Sequence, residues 1–339
     1  MKTGVLLINI GTPDSPSTKH VRKYLREFLN DPRVMDIPFL SRLLIVNLFI
    51  VPFRAPKSAG LYQKIWTPEG SPVLLHGIAV KEKLQKELGD NFVIELGMRY
   101  QSPSIKSALE NFRKNSLRKI IILPLYPQYA SSSTGSCVEK VMEIIHSWEV
   151  IPSLDVINKF YDRSDFIDCW VEAAKKYNLN DYDHFLFSYH SLPERQIKKA
   201  SAHYGNDHCQ FGKCCNAISK SNQYCYRAAA FETTKQIAKK LNIPEQKYTV
   251  SFQSRLGRTP WIKPYSDEVI VEKAKQGIKK ILAFSPSFVA DCLETIYEIG
   301  TEYNELLQKH GGEKIQLVES LNSHPVWINT LKQMVKENE

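Results

Sequence analysis

Six short apolar runs, each cut off by proline, glycine or a polar turn, limit what this chain of 339 residues can become. They fall at 5–10 (VLLINI), 92–96 (FVIEL), 119–123 (KIIIL), 185–189 (FLFSY), 248–252 (YTVSF) and 281–284 (ILAF), with a seventh, weaker one near 150–156. Each has strand length, and in 5–8, 120–123, 185–187 and 281–284 the apolar residues are continuous rather than alternating. That is the composition of strands buried on both faces, as in a parallel sheet covered by helices. The endings also match in order. Gly11-Thr12-Pro13 closes the first run as His190-Ser191-Leu192-Pro193 closes the fourth, Gly97-Met98-Arg99-Tyr100 pairs with Gln253-Ser254-Arg255, and Pro124-Leu125-Tyr126 with Ser285-Pro286-Ser287-Phe288. The pattern predicts an α/β chain of two similarly folded parallel-sheet domains, 1–160 and 161–339, facing each other across a cleft.

Composition narrows the class of ligand. A net charge of +9 leaves room for an anionic molecule or surface, while no zinc finger, RNP sequence or basic-aromatic repeat supports nucleic acid. The opening MKTGVLLINIGTP is too short in its apolar part for a signal peptide and ends in a turn, so the expectation is a cytoplasmic protein. Residues 37–53, IPFLSRLLIVNLFIVPF, are the most apolar stretch. Interrupted by Arg42 and Asn47 and bounded by Pro38 and Pro52, the stretch falls short of the roughly 20 apolar residues of a spanning helix. It reads as a buried helix, or as an apolar lip that lies on the inner membrane surface or roofs a greasy pocket, with Arg54 and Lys57 at its end for carboxylates or headgroups.

Three constellations carry chemistry. His190 stands at the carboxyl end of an apolar strand, where open α/β sheets bind ligands, and Pro193 forces the chain to turn there. Asp291, Glu294, Glu298 and Glu302 recur at steps of three and four, which predicts four carboxylates along one helical face, able to pass protons or hold a hydrated cation. Four of the seven cysteines, Cys209, Cys214, Cys215 and Cys225, crowd one segment. This suits a metal or cluster site better than a disulfide framework spread through the chain.

FSYHSLPER, LPLYPQYASSSTGS, SFQSRLGRTPWIKPYSDE and FVADCLETIYEIGTEY together resemble the ferrochelatases, from NIGTP near the start to ESLNSHP near the end. The resemblance implies two Rossmann-like, chelatase-type halves clamping a porphyrin and an enzyme, a lyase, inserting Fe(II) into protoporphyrin IX at the last step of haem synthesis. Coproporphyrin III is the alternative substrate, and a non-catalytic porphyrin or haem carrier the alternative class. It implies that His190 and Glu294 are catalytic and meet the iron from opposite walls, with Glu298 and Glu302 leading to the surface. It further implies porphyrin contacts from Ile10, Arg54, Arg99, Tyr126, Ser133, Thr134, Trp261 and Phe288. Cys292 stands where the family often has histidine. The insert 203–226 is similar to that of bacterial relatives in which four cysteines hold an internal [2Fe-2S] cluster, with zinc, recruiting His203 or His208, and free thiols as alternatives.

Overall fold

The computed structural model describes residues 2–202, 209–257 and 259–339; His203 and His208 lie outside them. The chain divides into two compact units, one of Met1–Tyr126, Ser131–Asn158 and Asn322–Glu339, the other of Pro127–Ala130 and Lys159–Leu321. The first holds a parallel sheet of β1 (Thr3–Gly11), β2 (Phe92–Tyr100), β3 (Lys119–Pro124) and β4 (Ser153–Val156), in the order β2-β1-β3-β4. The second holds β5 (His184–His190), β6 (Tyr248–Gln253), β7 (Lys280–Phe284) and β8 (Lys314–Leu317), in the order β6-β5-β7-β8. The two orders are the same, and β1, β2 and β3 correspond to β5, β6 and β7, as the paired strand endings predict. Short, half-polar β8 carries no apolar run, so its sequence does not announce it.

The central strands are the apolar ones because both their faces are covered. Leu6, Ile8, Ile120 and Ile122 pack against Leu109 and Phe112 of the helix Ile105–Lys114 and Val141 of the helix Ser136–Ile145. In the second unit Leu186, Ile281 and Ala283 meet Ile270, Ile299 and Leu307. Gly11 at the end of β1 has φ +103°, and a Cβ there would fall 2.0 Å from the Tyr100 carbonyl oxygen, so only glycine fits where β1 and β2 close together.

Residues 37–53 do not stop where their prolines suggest. One continuous helix runs over Phe39–Ile65, with a wider π-type turn at Ile45–Ile50. Pro52 follows that turn at the start of an α-helical stretch, where its missing N–H is best tolerated. The 27-residue helix, longer than the stretch 37–53, passes the length and composition test for a spanning helix and no more than that. Phe39, Leu40, Leu48, Phe49 and Phe53 are each more than half exposed on it. The last helix, Pro325–Glu337, returns to the first unit and packs on the helix Pro72–Leu88, burying Trp327 and Leu331 and pairing Lys332 with Glu87 at 2.9 Å.

Candidate active site

His190 is the last residue of β5, half-buried, held there because β5 lies between β6 and β7. Its Nδ1 lies 2.6 Å from the Ser191 carbonyl oxygen. A carbonyl only accepts, so Nδ1 carries a proton; in the neutral ring this leaves the lone pair on Nε2, the atom able to take a proton or bind a metal. The Phe288 ring lies 6.4 Å away, centroid to centroid. The turn that follows is pinned: Ser191 N–H donates to the Gln253 carbonyl at 2.7 Å, and Ser191 Oγ to that of Ile262 at 3.2 Å.

The acidic helix differs from the sequence expectation in two respects. Its first ten residues, Glu294–Tyr303, wind as a π-helix, a form concentrated at functional sites, and α-helix resumes at Asn304–Lys309. Asp291 precedes it instead of belonging to the line of acids. Buried, it accepts from Thr295 Oγ1 at 3.0 Å and from the Ser320 amide at 3.3 Å, which ties down the chain entering the helix. The remaining three acids sit at steps of four on the helix, Glu294 and Glu298 half-buried and Glu302 exposed. Cys292 pairs with Glu294: burial first, then the carboxylate's charge and its hydrogen bond, pushes the thiol well above its ordinary value.

Glu298 is held at both carboxylate oxygens. Its Oε1 accepts from the Ser254 amide and the Tyr303 hydroxyl, each at 3.0 Å, and its Oε2 from Gln253 Nε2 at 2.9 Å and from Ser254 Oγ. Burial and that carboxylate push the Tyr303 phenol well up. The sequence does not point to Gln253 and Ser254, because an amide and a hydroxyl have no signature beyond their place at a strand end. Both His190 and Glu294 belong to the second unit, not to opposite halves: the strand bearing one and the helix bearing the other are parts of the same unit.

The expected porphyrin contacts divide between the units. Trp261 and Phe288 belong to the second, and Trp261 Nε1 donates to the Leu256 carbonyl at 2.8 Å. Ile10, Arg54, Arg99, Tyr126, Ser133 and Thr134 belong to the first. Arg54 is exposed on the long helix, and Ile10 packs at the edge of the cluster around Tyr24 and Tyr100. Arg99 is already engaged, donating from Nη2 to Asp31 at 2.6 Å and from Nε to Ser136 Oγ at 2.6 Å. Tyr126 is half-buried on the first core and hydrogen-bonded to Cys137. Ser133 is half-buried, whereas Thr134 is fully enclosed, its hydroxyl without a hydrogen-bond partner among the described residues, and offers a ligand no surface. Ser131–Gly135, which carries both residues, is a π turn continuous with the helix behind it.

Cys209, Cys214, Cys215 and Cys225 form a succession of thiol contacts, each hydrogen-bonded to the next. The bond from Cys225 lowers Cys215 to about 5, and the same bond, with burial, drives Cys225 upward. Three of the four sulfur residues, Cys209, Cys214 and Cys225, line one cavity with Ile197 and Asn222. The donor set is of the right kind for iron and sulfide. Among the described residues, however, no three His, Cys, Asp or Glu side chains are arranged around a single ion.

Two matching parallel sheets, a strand-end histidine and an acid-bearing helix define a chelatase-type α/β protein. The fold is that of SirB from Bacillus subtilis, solved with Fe3+, at TM-score 0.53 and 12% identity over 99% of this chain and 95% of that one. The ferrochelatase family model matches residues 2–339. Curated ferrochelatases from Coxiella burnetii (strain Dugway 5J108-111) and Legionella pneumophila (strain Lens) are 47% and 46% identical over 99% of this chain and 94% and 99% of their own lengths. The chain belongs to the ferrochelatase family and is a metal-inserting lyase of haem biosynthesis.

Proposed function

We propose that this ferrochelatase acts on protoporphyrin IX and closes haem synthesis, with His190 and Glu294 at the point of metallation. Inserting Fe(II) displaces two pyrrole protons, so the reaction needs a proton acceptor at the macrocycle and ligands that strip water from the ion. The observation that carries the reading is the His190 ring: with Nδ1–H committed to Ser191, Nε2 can receive a proton or hand over iron, though not both at once. Glu294, Glu298 and Glu302 run from half-buried to exposed, which suits a route for the ion or for the released protons. Trp261 and Phe288 would give flat apolar contact, Ile10 and Tyr126 further contact, and Arg54 and Ser133 would meet the propionates. Anaerobic incubation with Fe(II) and each porphyrin, followed by loss of porphyrin fluorescence, tests the substrate. Faster metallation of coproporphyrin III than of protoporphyrin IX would overturn the choice.

The four insert thiols would hold a [2Fe-2S] cluster, which supplies one-electron chemistry that Fe(II) insertion does not require; its place is structural or sensory. Purified protein is then reddish-brown with visible thiolate-to-iron bands, and Cys209→Ser bleaches them. Colourless protein containing zinc would replace this assignment. The exposed apolar side chains of Phe39–Ile65, with Arg54 and Lys57 on the same helix, support peripheral contact with an anionic membrane. Vesicle sedimentation measures it, and equal recovery in the supernatant with and without vesicles would remove it.

A further inference from the structure

We infer that Gln253 is the positioning residue that sets the acidic helix against the His190 strand end. This rests on the reading of His190 and the three glutamates given above. Gln253 ends β6, directly beside His190 in the strand register, and is 1% exposed. It bonds in both directions. Its backbone carbonyl takes the Ser191 amide at 2.7 Å, fixing the turn that orients the imidazole. Its side-chain Nε2 donates to the Glu294 carbonyl at 3.0 Å and to Glu298 Oε2 at 2.9 Å, fixing the helix start and its second acid.

The orientation of that amide is itself imposed. With both Nε2 hydrogens directed at carbonyl and carboxylate acceptors, Oε1 must accept, and Ser188 Oγ donates to it at 2.6 Å. Ser188 has one hydrogen, so the 2.9 Å contact with Ser266 runs from Ser266 to Ser188, and the 2.8 Å contact with Ser251 from Ser251 to Ser266. All three serines are fully buried. The result is a one-way chain of donors, Ser251 to Ser266 to Ser188 to Gln253, ending on Glu298. A buried chain of hydroxyls is costly to leave half-satisfied, and each member here has a partner. Glu298 accepts two bonds at each oxygen, so it is an anchored acid, and Gln253 acts on metal handling through it.

Gln253→Leu is isosteric enough to fill the site while removing every side-chain bond. Losing a buried bond to a charged group reduces kcat/KM for Fe(II) by about tenfold to a hundredfold. Porphyrin affinity, measured without metal by fluorescence quenching, stays within about twofold, since none of these bonds reaches a ring-stacking side chain. In a Glu298→Ala background the same change has a smaller effect than in the wild type, because the bond to the acid is gone and only the one to the Glu294 carbonyl remains to be lost. Ser188→Ala, which frees the amide to turn over, gives a smaller loss of the same kind and carries the test if Gln253→Leu does not fold. Losses that multiply in the double variant, a parallel fall in porphyrin affinity, or wild-type kinetics in Ser188→Ala would overturn the inference. Absence of iron insertion by the wild-type protein would instead overturn the functional reading beneath it.

Discussion

At the scale of single residues, chemistry and stability are separable. His190→Ala removes the Nε2 lone pair without touching a core, so metallation should be abolished while porphyrin binding and melting temperature stay near wild type; retained turnover would show that another group takes the role. Asp31 is the opposite case. Its carboxylate, wholly buried, holds Arg99 at 2.6 Å, Tyr100 Oη at 2.8 Å and the Arg33 amide at 2.7 Å. Asp31→Ala leaves the guanidinium without its counter-charge, which costs about 3–5 kcal/mol. Urea unfolding should show that loss, whereas a change under about 1 kcal/mol would mean that water replaces the pair. Of these residues, His190 is legible in the sequence because proline and a strand end surround it. Asp31 and Gln253 are not, since their importance comes from partners 68 positions away in one case and 45 in the other.

Elements respond to pH through the groups they bury. His184, at the start of β5, is 3% exposed with Nε2 2.9 Å from Thr249 Oγ1. Burial, with a smaller push from the Lys273 charge, lowers the imidazole from its ordinary 6.5 to about 4. The folded protein therefore keeps the ring neutral where the unfolded chain takes up a proton. The stability this ring contributes is complete above about pH 6.5 and is lost as pH falls toward 4, roughly 2 kcal/mol of it between pH 7 and pH 5. His184→Gln should flatten that part of the acid limb, measured by denaturant titrations at the two pH values. An unchanged slope would assign the acid sensitivity elsewhere. The π-helical segments at Ile45–Ile50 and Glu294–Tyr303 belong to this scale as well. The four-residue acid spacing fits either helix type, so periodicity alone reads them as α.

For the molecule as a whole, the return of the last helix to the first unit is the feature with the largest consequence. Removing Asn322–Glu339 strips Trp327, Leu331 and Met334 from a closed core and exposes the helix Pro72–Leu88. Hydrogen exchange in the truncated chain should accelerate in that helix and in β2, while β5 and β6 keep their protection. Uniform loss across both sheets would mean that the units do not unfold separately.

The order of apolar runs and their matched endings determined two parallel sheets of the same topology, because central strands buried on both faces are continuously apolar and all of them stop where the chain turns toward a ligand. The strand-end histidine and the spacing of the acids were equally legible, being local. Tertiary structure alone decided that His190 and Glu294 share one unit, that Asp291 leaves the line of acids, that Thr134 is sealed, and that Gln253 joins strand to helix. Each of these depends on which distant groups meet, and a hydrogen bond between residues far apart in the chain leaves no periodicity to read.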